Sequence, residues 1–274
     1  MSNLLDVKEV SFSYSNGKSS SVNKNSFKLS DNSFSLQEKD FISIIGTNGS
    51  GKSTLVKLIS RILSPYIGNI FYKGKEINSF DKKEYSRAVS YLPQTTNTFN
   101  EDLNVKEFLM LGRYAHKRFT DFKFSDEDRN IVTESINETG IKNLEGNNLY
   151  QLSGGEKQKV LLTLGLVQLD ITKSLNEKIL IIDEPLTYLD INYQFEILNI
   201  LKKLNEKGLT IIIVIHDLNL ALNFTNKSIL MNDGRIVLHS DSKKVITKEM
   251  LSEYFNMKSE IVKHENNLVI NYSS

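Results

Sequence analysis

The sequence predicts an α/β fold whose core is a mainly parallel sheet. Three apolar runs carry this prediction, and they span Phe41 to Ile45, Ile179 to Ile182 and Thr210 to Ile215. Each run is too uniformly apolar for a strand with one solvated face, so helices are expected to cover both faces of the sheet. The first run ends at a glycine-rich turn, and Leu55 to Leu63 then shows apolar residues at helical spacing. A strand, a loop and a helix are therefore expected in that order.

The segments around this core have different patterns. Alternating apolar residues in the first forty predict antiparallel strands, joined by the polar segment Ser15 to Asn25. Residues 95–151 contain amphipathic stretches without a strong strand signal, which predicts a helical insert. The pair Asp233-Gly234 lies between apolar runs and predicts a hairpin, because such turns need positive φ. From Ser242 onward, a helix and a final hairpin around Asn266 and Asn267 are expected.

Together these patterns predict one domain over residues 1–274. Its core comprises residues 1–94, which include the antiparallel strands as a subdomain, and residues 152–240. Residues 95–151 form a helical subdomain in this interpretation, and residues 241–274 form a C-terminal extension.

The composition narrows the classes of protein to which the chain can belong. With 274 residues, of which 39% are hydrophobic, it can bury one sizeable core. No apolar stretch reaches the ~20 residues that a membrane-spanning helix needs. The N-terminus lacks a secretion signal, so a cytoplasmic location is expected. Zero cysteines exclude disulfides and thiolate metal sites, and a formal charge of +1 gives no support for nucleic acid as a partner.

The glycine-rich turn has the pattern of a phosphate-binding loop. In Gly46 to Thr54, GTNGSGKST, the glycines let successive backbone N–H groups turn inward around phosphate, and the following helix directs its positive end at the same place. Lys52 is expected to bridge the β- and γ-phosphates of a nucleotide, and the Ser53 hydroxyl to coordinate Mg²⁺. The alternative is an ordinary glycine-rich turn, which the strand before it and the helix after it disfavour.

Two acidic residues end the second apolar run. Asp183 closes it and Glu184 follows, the arrangement in which the Asp holds Mg²⁺ through water and the Glu faces the attacking water. Glu184 is therefore the candidate general base. On its own, the pair could also be a solvated acidic strand end.

Three further side chains are candidates because of where they stand in the sequence. His216 directly follows a buried run and could reach a γ-phosphate, although a histidine at a strand end is often structural. Gln94 opens the helical insert and could touch Mg²⁺ or water, with a buried turn glutamine as the alternative. Tyr14 could stack on a base, or it could be a strand-core tyrosine. His116, His239 and His264 show no metal-ligand spacing.

A second possible phosphate-binding helix start lies at Leu152 to Glu156, LSGGE. Ser153, Gly154 and Gly155 precede a helical run from Lys157 to Leu169. One nucleotide does not need two such loops from one chain. The economical interpretation is a head-to-tail pair of chains, in which this segment completes the site of the opposite chain and dimerisation depends on nucleotide.

These residues, in this order, resemble the ATPase subunits of ABC transporters over nearly the whole chain. The resemblance implies a P-loop NTPase core of the ABC type, with ATP and Mg²⁺ as ligands. Carried over position by position, it implies an adenine-stacking loop at Tyr14, Walker A at Gly46 to Thr54, the Q-loop at Gln94, the signature at Leu152 to Glu156, Walker B at Ile179 to Asp183 with Glu184 as base, the D-loop at Leu189-Asp190 and the H-loop at His216. In Walker A the implied nucleotide contacts are Gly46, Asn48, Gly49, Ser50, Gly51, Lys52, Ser53 and Thr54.

Shorter segments are similar to those of bacterial importers of iron-siderophore complexes, heme and cobalamin. They are YLPQ at Tyr91 to Gln94, VKEFLMLGRYAH at Val105 to His116, LDINYQ at Leu189 to Gln194 and HDLNLA at His216 to Ala221. In that family the subunit lies at the cytoplasmic face of the membrane and powers a permease that a substrate-binding protein supplies. The permease is expected to dock near Gln94 and Asn97 to Tyr114.

The chain departs from this family at three places. Lys157-Gln158-Lys159 stands where an arginine commonly follows the glutamine, so the charge is kept and the fork geometry is lost. Leu186-Thr187-Tyr188 replaces the usual Thr or Ser directly after the Walker B proline. The polar stretch Asp170 to Lys178 is longer than in siderophore-type subunits, which tilts the expected cargo towards heme or cobalamin. This tilt is weak, because the stretch is interpreted as a surface loop, and surface loops tolerate insertions.

Other functions remain open at this point. A soluble ABC ATPase acting in translation or DNA maintenance usually carries two cassettes or a coiled-coil insertion, which this sequence lacks. An exporter is disfavoured by the GRYAH segment, and an importer of another metal chelate stays an alternative.

Overall fold

The computed structural model describes residues 3–14, 28–94, 103–118, 123–265 and 267–273. Twelve strands and nine α-helices lie in these ranges. In chain order they are β1 (Leu5–Ser13), β2 (Lys28–Leu36), β3 (Phe41–Ile45), α1 (Lys52–Ile59), β4 (Ile67–Tyr72), β5 (Lys75–Glu76), α2 (Lys82–Ala88), β6 (Val89–Leu92), α3 (Val105–Met110), α4 (Asp126–Thr139), α5 (Gly154–Leu169), β7 (Ile179–Asp183), α6 (Ile191–Glu206), β8 (Thr210–Val214), α7 (Leu218–Phe224), β9 (Lys227–Asn232), β10 (Arg235–Asp241), α8 (Ser242–Val245), α9 (Lys248–Phe255), β11 (Lys258–His264) and β12 (Asn267–Ser273).

The chain divides into two compact units. The first contains Met1–Ser79 and Ile212–Ser274, and the second contains Phe80–Ile211. The predicted subdomain limits at residues 94/95, 151/152 and 240/241 follow sequence motifs rather than compactness, and they stay a prediction.

An antiparallel sheet forms part of the first unit. Its strand order is β2-β1-β4-β5, and β1 pairs with both β2 and β4. At Gly68 the backbone of β4 lies very close to that of β1, since a Cβ on Gly68 would be 2.4 Å from the carbonyl oxygen of Glu9. The predicted N-terminal antiparallel strands are confirmed, while Ser15 to Asn25 lies outside the described residues.

The strand that leads into the phosphate loop also lies in the first unit. Every residue of β3 is buried, and β3 pairs in parallel with β9, which pairs antiparallel with β10. Asp233 and Gly234 have φ of 46° and 76°, so the predicted hairpin and its reason are confirmed. The helix predicted over Leu55 to Leu63 is shorter, because α1 ends at Ile59 and Arg61 has a left-handed φ of 60°.

The C-terminal extension consists of α8, α9 and the hairpin of β11 and β12. A helix and a final hairpin were predicted there. Two asparagines of α7 hold this hairpin. Asn223 donates to the Leu268 carbonyl at 2.8 Å and accepts from its amide at 3.0 Å, and Asn219 accepts from the Ile270 amide at 2.7 Å. Asn266 lies outside the described residues.

The second unit contains the helical insert and the acidic strand. β6 and β7 pair in parallel, and every residue of β7 is buried. Helices α3 and α4 pack with α5 around a common apolar core that includes Leu109, Ile131 and Val160. The predicted helical character of residues 95–151 is confirmed where they are described, and residues 95–102 and 119–122 lie outside that part. The α/β fold is thus the one that the sequence predicts.

The stretch Asp170 to Lys178 is less exposed than the sequence suggests. Asp170 ends α5 with a left-handed φ of 60°, and Asp170 and Leu175 are buried. Arg113, also buried, donates to the Val167 carbonyl at 3.0 Å and lies 3.8 Å from the Asp170 carboxylate. The interpretation of this stretch as a tolerant surface insertion is therefore wrong at its first residue, which anchors the end of α5.

In the part of the chain that the structure describes, no helix combines the length and the apolar character needed to span a membrane.

Candidate functional site

The phosphate loop of the first unit joins β3 to α1. Gly46 has a φ of 146°, and a Cβ there would lie 2.2 Å from the Met231 carbonyl oxygen, so only glycine fits. Gly49 and Gly51 have φ of 80° and 106°. Beyond its chain neighbours, no atom in the described ranges lies within 4 Å of a Cβ built at Gly49, so the loop is open to them at that point. The glycines thus form the turn as predicted, and one of them also allows a close contact that the sequence does not reveal.

The interior of this loop is prepared for an anion. Lys52 is buried, and its Nζ donates to the carbonyls of Gly46 and Thr47, both at 3.0 Å. Helix α1 has no side-chain cap at Gly51 and no acidic residue in its first turn. The buried Ser50 hydroxyl has no hydrogen-bond partner within the described ranges. An uncapped helix start, an ammonium group and an unpaired hydroxyl are the donors that bind nucleotide phosphates, so these residues fit that ligand.

The hairpin between β9 and β10 supports the loop from behind. The Gly234 amide donates to the Ser50 carbonyl at 3.1 Å. The Gly234 carbonyl accepts from the Asn32 side chain at 2.9 Å and from the Ser30 amide at 3.0 Å. Asn32 was not predicted to have a role. The sequence does contain an indication of one, because this buried asparagine alternates in β2 with buried apolar residues.

Tyr14 and His216 also belong to the first unit. Tyr14 is 58% exposed, and its hydroxyl lies 3.2 Å from the Thr54 hydroxyl in the first turn of α1. The alternative of a strand-core tyrosine is therefore wrong, while stacking on adenine stays a prediction. His216 is exposed just after β8, and the next residue, Asp217, caps α7 by accepting from the Leu220 amide at 3.0 Å.

The acidic strand end of the second unit contains a hydrogen-bonded pair. The Gln94 amide donates to the Glu184 carboxylate at 2.8 Å, and Glu184 has a left-handed φ of 51°. A non-glycine residue with that φ stores backbone strain, which is often found at functional positions. Gln94 is exposed, so the alternative of a buried turn glutamine is wrong. The structure thus brings together the two side chains predicted as Q-loop and general base.

Asp183 lies one residue earlier and is buried at the end of β7. Its carboxylate accepts from the Tyr91 hydroxyl at 3.2 Å. Tyr91 was not predicted, although it stands three residues before Gln94 on the neighbouring strand β6. The predicted Mg²⁺ ligands are a hydroxyl (Ser53), a carboxylate (Asp183) and an amide (Gln94), and hard oxygen donors of this kind suit Mg²⁺.

The LSGGE segment forms the capped start of α5. The Ser153 hydroxyl accepts from the Glu156 amide at 3.3 Å and donates to the Glu156 carboxylate at 2.8 Å, while that carboxylate accepts from the Ser153 amide at 2.8 Å. These two bonds from Ser153, first from its amide and then from its hydroxyl, lower the pKa of Glu156. Gly154 is exposed, and the helix begins there rather than at Lys157.

Asp190 caps another helix. Its carboxylate accepts from the Tyr193 amide at 3.1 Å at the start of α6. The preceding Tyr188 has a left-handed φ of 64° and is 99% exposed. A role of Asp190 at a nucleotide stays a prediction, because in this chain its carboxylate is engaged in capping.

With this geometry established, comparison with known proteins decides the family. The sequence matches the ABC transporter family over residues 29–187, more than half of the chain. This chain belongs to the ABC transporter family. It is 34% identical over 235 residues to the iron(3+)-hydroxamate import ATP-binding protein of Bacillus subtilis (strain 168), covering 85% of this chain and 84% of that one.

Two further ABC proteins show the same relation. The ferric enterobactin transport ATP-binding protein of Escherichia coli (strain K12) is 34% identical over 229 residues, which is 83% of this chain and 81% of that one. The solved dimeric structure of a bacterial ABC transporter cassette superposes with a TM-score of 0.71 at 25% identity, covering 87% of this chain and 98% of the other. Like the ATP-binding proteins of ABC transporters, this chain is an ATPase that binds and hydrolyses ATP.

Proposed function

We propose that this ABC ATPase powers the import of a ferric siderophore through a membrane permease. The observation that carries the proposal is its 34% identity to an iron(3+)-hydroxamate import ATP-binding protein over 85% of the chain. The argument for heme or cobalamin was the length of Asp170 to Lys178. Asp170, the first residue of that stretch, is buried beside Arg113 at the end of α5, so this residue has a structural use. The length of the stretch is weaker support than an identity that extends over most of the chain. Heme, cobalamin and other metal chelates become outcomes of the test below.

Two copies of the chain act together in this proposal. Each of two ATP molecules lies between the phosphate loop of one chain and the LSGGE segment of the other, in a head-to-tail dimer. Two separate helix starts support this arrangement, one at Lys52 and one at Gly154. The dimeric state of a similar cassette agrees with it.

Hydrolysis in this site depends mainly on position and charge. Lys52 neutralises charge on the β- and γ-phosphates, and Ser153 of the opposite chain donates to the γ-phosphate. Mg²⁺, held by Ser53 and Asp183, supplies further neutralisation when it is bound. Glu184 accepts the proton of the attacking water, and His216 hydrogen-bonds the γ-phosphate. The Gln94 side chain donates a hydrogen bond to the Glu184 carboxylate at 2.8 Å. Because Gln94 opens the helical insert, this bond links the position of the carboxylate to the position of the insert.

The variant Glu184→Gln tests the base. It removes the proton acceptor and keeps the size and the hydrogen bonding of the side chain. We expect unchanged ATP affinity, a stable ATP-bound dimer and loss of turnover, measured by analytical ultracentrifugation and phosphate release. The control is Glu206→Gln, an exposed residue at the end of α6 outside every motif, which should behave as the parent protein. Normal turnover of Glu184→Gln would contradict the assignment.

The permease docks on the helical insert at exposed apolar side chains. Leu111 is 40% exposed and Tyr114 is 58% exposed, whereas Arg113 between them is buried. Replacing Tyr114 by Ala is expected to keep the ATPase activity of the isolated chain and to abolish stimulation by the permease. An equal change at exposed Tyr66 in the first unit is the control. Full stimulation with the Tyr114 variant would exclude this surface.

Cargo is tested with the complete system in lipid vesicles. The chain is bound to its permease at the face of the membrane that corresponds to the cytoplasm, and ATPase activity is measured with binding protein loaded with a ferric hydroxamate, a ferric catecholate, heme or cobalamin. Stimulation by a ferric siderophore alone is the expected result. Stimulation by heme or cobalamin alone would replace the cargo and keep the importer. No response to the permease at all would favour the alternative of an ABC ATPase outside transport.

A further inference from the structure

The second glycine of the LSGGE segment lies directly against an aromatic ring. A Cβ built on Gly155 would be 2.5 Å from Cγ, 2.6 Å from Cδ1 and 2.8 Å from Cδ2 of Tyr193. Gly155 lies within α5 and has no positive φ, so its backbone conformation would accept alanine. The ring of Tyr193 is what excludes a side chain at this position.

The first glycine of the segment has no such constraint. A Cβ at Gly154 would meet only Cδ2 of Leu189, at 3.9 Å, which is an ordinary van der Waals distance. The two adjacent glycines therefore differ in what surrounds them within one chain. Gly154 is open to whatever approaches from outside, and Gly155 is packed from behind.

Contacts of its backbone and of its ring hold Tyr193 in this position. The Tyr193 amide donates to the Asp190 carboxylate, which fixes the start of α6. Lys159, one turn after Gly155 on α5, places its Nζ 5.3 Å from the centre of the ring. The same Nζ binds the Glu196 carboxylate at 3.0 Å, and the Lys159 side chain is largely buried. The half-buried ring thus lies against α5, beside a lysine that makes a cation–π contact with it and is itself held by an ion pair.

We propose that Tyr193 is a positioning residue that sets where the LSGGE segment stands relative to the D-loop of the same chain. Asp190 and Gly155 contact two parts of one tyrosine, its amide and its ring. A displacement of α6 at the D-loop is therefore transmitted to the helix start that completes the nucleotide site of the opposite chain. This inference rests on the proposed head-to-tail dimer.

The inference also explains why lysine occurs at position 159. Compared with the arginine that is common at this position in the family, Lys159 keeps the positive charge and lacks the fork geometry. In the structure one carboxylate oxygen and one ring face take up the cation, a set of partners that a compact ammonium satisfies without a fork.

Size complementation between the two residues tests the proposal. The variant Gly155→Ala is expected to weaken ATP-dependent dimerisation about ten- to a hundred-fold, because overpacking displaces the helix start. Adding Tyr193→Ala to Gly155→Ala removes the obstructing ring and should raise dimerisation at least about five-fold above that of Gly155→Ala alone. The measurement is analytical ultracentrifugation at saturating ATP, with all variants in the Glu184→Gln background, alongside ATP affinity of the monomer.

Gly154→Ala provides the matched control. Its effect should be independent of Tyr193, so adding Tyr193→Ala should bring no recovery. Tyr193→Phe keeps the ring and should dimerise within about two-fold of the parent, since only the hydroxyl is lost. Thermal unfolding verifies that each variant folds, and Tyr193→Ser replaces Tyr193→Ala if the double variant does not unfold cooperatively.

Two results would overturn the proposal while the dimer stands. One is normal dimerisation of Gly155→Ala with Tyr193 intact. The other is a folded double variant that binds ATP as the parent does and still fails to dimerise. If the Glu184→Gln parent itself forms no ATP-dependent dimer, the head-to-tail arrangement fails first and the role of Tyr193 fails with it, so the two failures are distinguishable.

Discussion

The starts of α1 and α5 look alike in sequence and differ in structure. Each has glycines beside a serine, before the helix at α1 and in its first turn at α5, and both were predicted to bind phosphate. At α1, Gly51 offers no side-chain cap, the first turn has no acid, and Lys52 lies within the loop. At α5, Ser153 and Glu156 form a complete capping box.

This difference indicates how work is divided between the two helix starts. At the start of α1 no side chain caps the helix and no acidic residue lies in the first turn, so a phosphate there meets no negative charge from that turn. At α5 the Glu156 carboxylate already occupies the Ser153 hydroxyl and amide. A phosphate arriving there meets a negative charge and a satisfied cap. The phosphate loop is therefore suited to bind ATP without a second chain. The LSGGE segment is suited to contact a nucleotide that a phosphate loop already holds.

The largest effect should separate the two starts outright. Lys52→Ala removes the ammonium that faces the phosphates and is expected to weaken ATP binding to the isolated chain about ten- to a hundred-fold. Ser153→Ala should leave this affinity within about two-fold, and it should lower turnover, because its contact is made only in the dimer. Fluorescent nucleotide titration and phosphate release measure the two quantities. Equal loss of monomer affinity in both variants would break the comparison.

The two helices also differ at their other ends. At the end of α1 the Ser60 amide and hydroxyl donate to carbonyls of the helix's own backbone, whereas the end of α5 is held by a buried cation. Arg113 donates to the Asp128 carboxylate at 2.9 Å and to the Val167 carbonyl at 3.0 Å. Lys117 lies 3.1 Å from the same carboxylate. The long helix that carries the LSGGE segment is thus anchored by charge, and the short one by its backbone.

Replacing the buried cation should have the largest effect on the free energy of unfolding. Arg113→Met removes the nearest cation of the buried Asp128 carboxylate and a more distant one from the buried Asp170 carboxylate, which is expected to lower the free energy of unfolding by about 3–5 kcal/mol. Arg129→Met removes a cation of the same type from an exposed pair with Asp126 and should cost less than about 1 kcal/mol. Urea unfolding of both variants measures the difference. Equal losses would mean that the end of α5 needs no charged anchor.

The same anchor predicts a dependence on pH. Burial alone would raise the pKa of Asp128, but hydrogen bonds from Arg113, Ser125 and Lys117 outweigh it and hold this pKa far below its ordinary range. The unfolded carboxylate titrates near about 3.9 and takes up protons before the folded one does. Its stabilisation is therefore complete above about pH 4 and is lost as pH falls below that value.

Measurements of the free energy of unfolding from about pH 6 down to about pH 2.5 test this expectation. This range spans the pKa of about 3.9 that an aspartate has in the unfolded chain. The fall in stability below that pKa should be shallower in Asp128→Asn than in the parent. Asp126→Asn, whose carboxylate is fully exposed, should follow the parent curve. Parallel curves for the parent and Asp128→Asn would show that other groups carry the acid sensitivity.

Much of this fold could be predicted because its signals are local. The fully apolar strands β3 and β7, the turn at Asp233-Gly234 and the phosphate loop each carry their reason within about ten residues of sequence. Gln94 and Glu184 were both predicted, yet the sequence gives no indication of the hydrogen bond between them, since ninety residues separate them.

What escaped prediction are contacts between distant segments. Asn32 supports the hairpin turn from a strand two hundred residues away. The polar stretch after α5 was interpreted as a surface insertion, because the buried state of Asp170 depends on Arg113, far away in sequence. Gly155 was attributed to phosphate binding, and the ring of Tyr193 that requires a glycine there belongs to another helix. In each case a pattern within one segment reports the residue and not its partner.

The smallest predicted effect concerns the charge within the capped start itself. Glu156→Gln preserves the capping box, because glutamine makes the same hydrogen bonds, and it removes the negative charge. Loss of an acid from the first turn costs the helix about 0.3–1 kcal/mol. Less repulsion of the nucleotide should nevertheless lower the ATP concentration needed for dimerisation about two- to five-fold at low salt. The measurement uses the Glu184→Gln background, with Glu206→Gln as a control for simple charge removal.

Salt distinguishes this cause from a change of structure. At 0.15 M ionic strength charges are screened over about 8 Å, and at 1 M over about 3 Å, so the advantage of Glu156→Gln should shrink as salt rises. An advantage independent of salt would point to altered capping instead. If Glu156→Gln needs as much ATP as the parent at low salt, the Glu156 charge does not oppose the nucleotide. The contrast between the two helix starts would then rest on Lys52 and the uncapped start of α1.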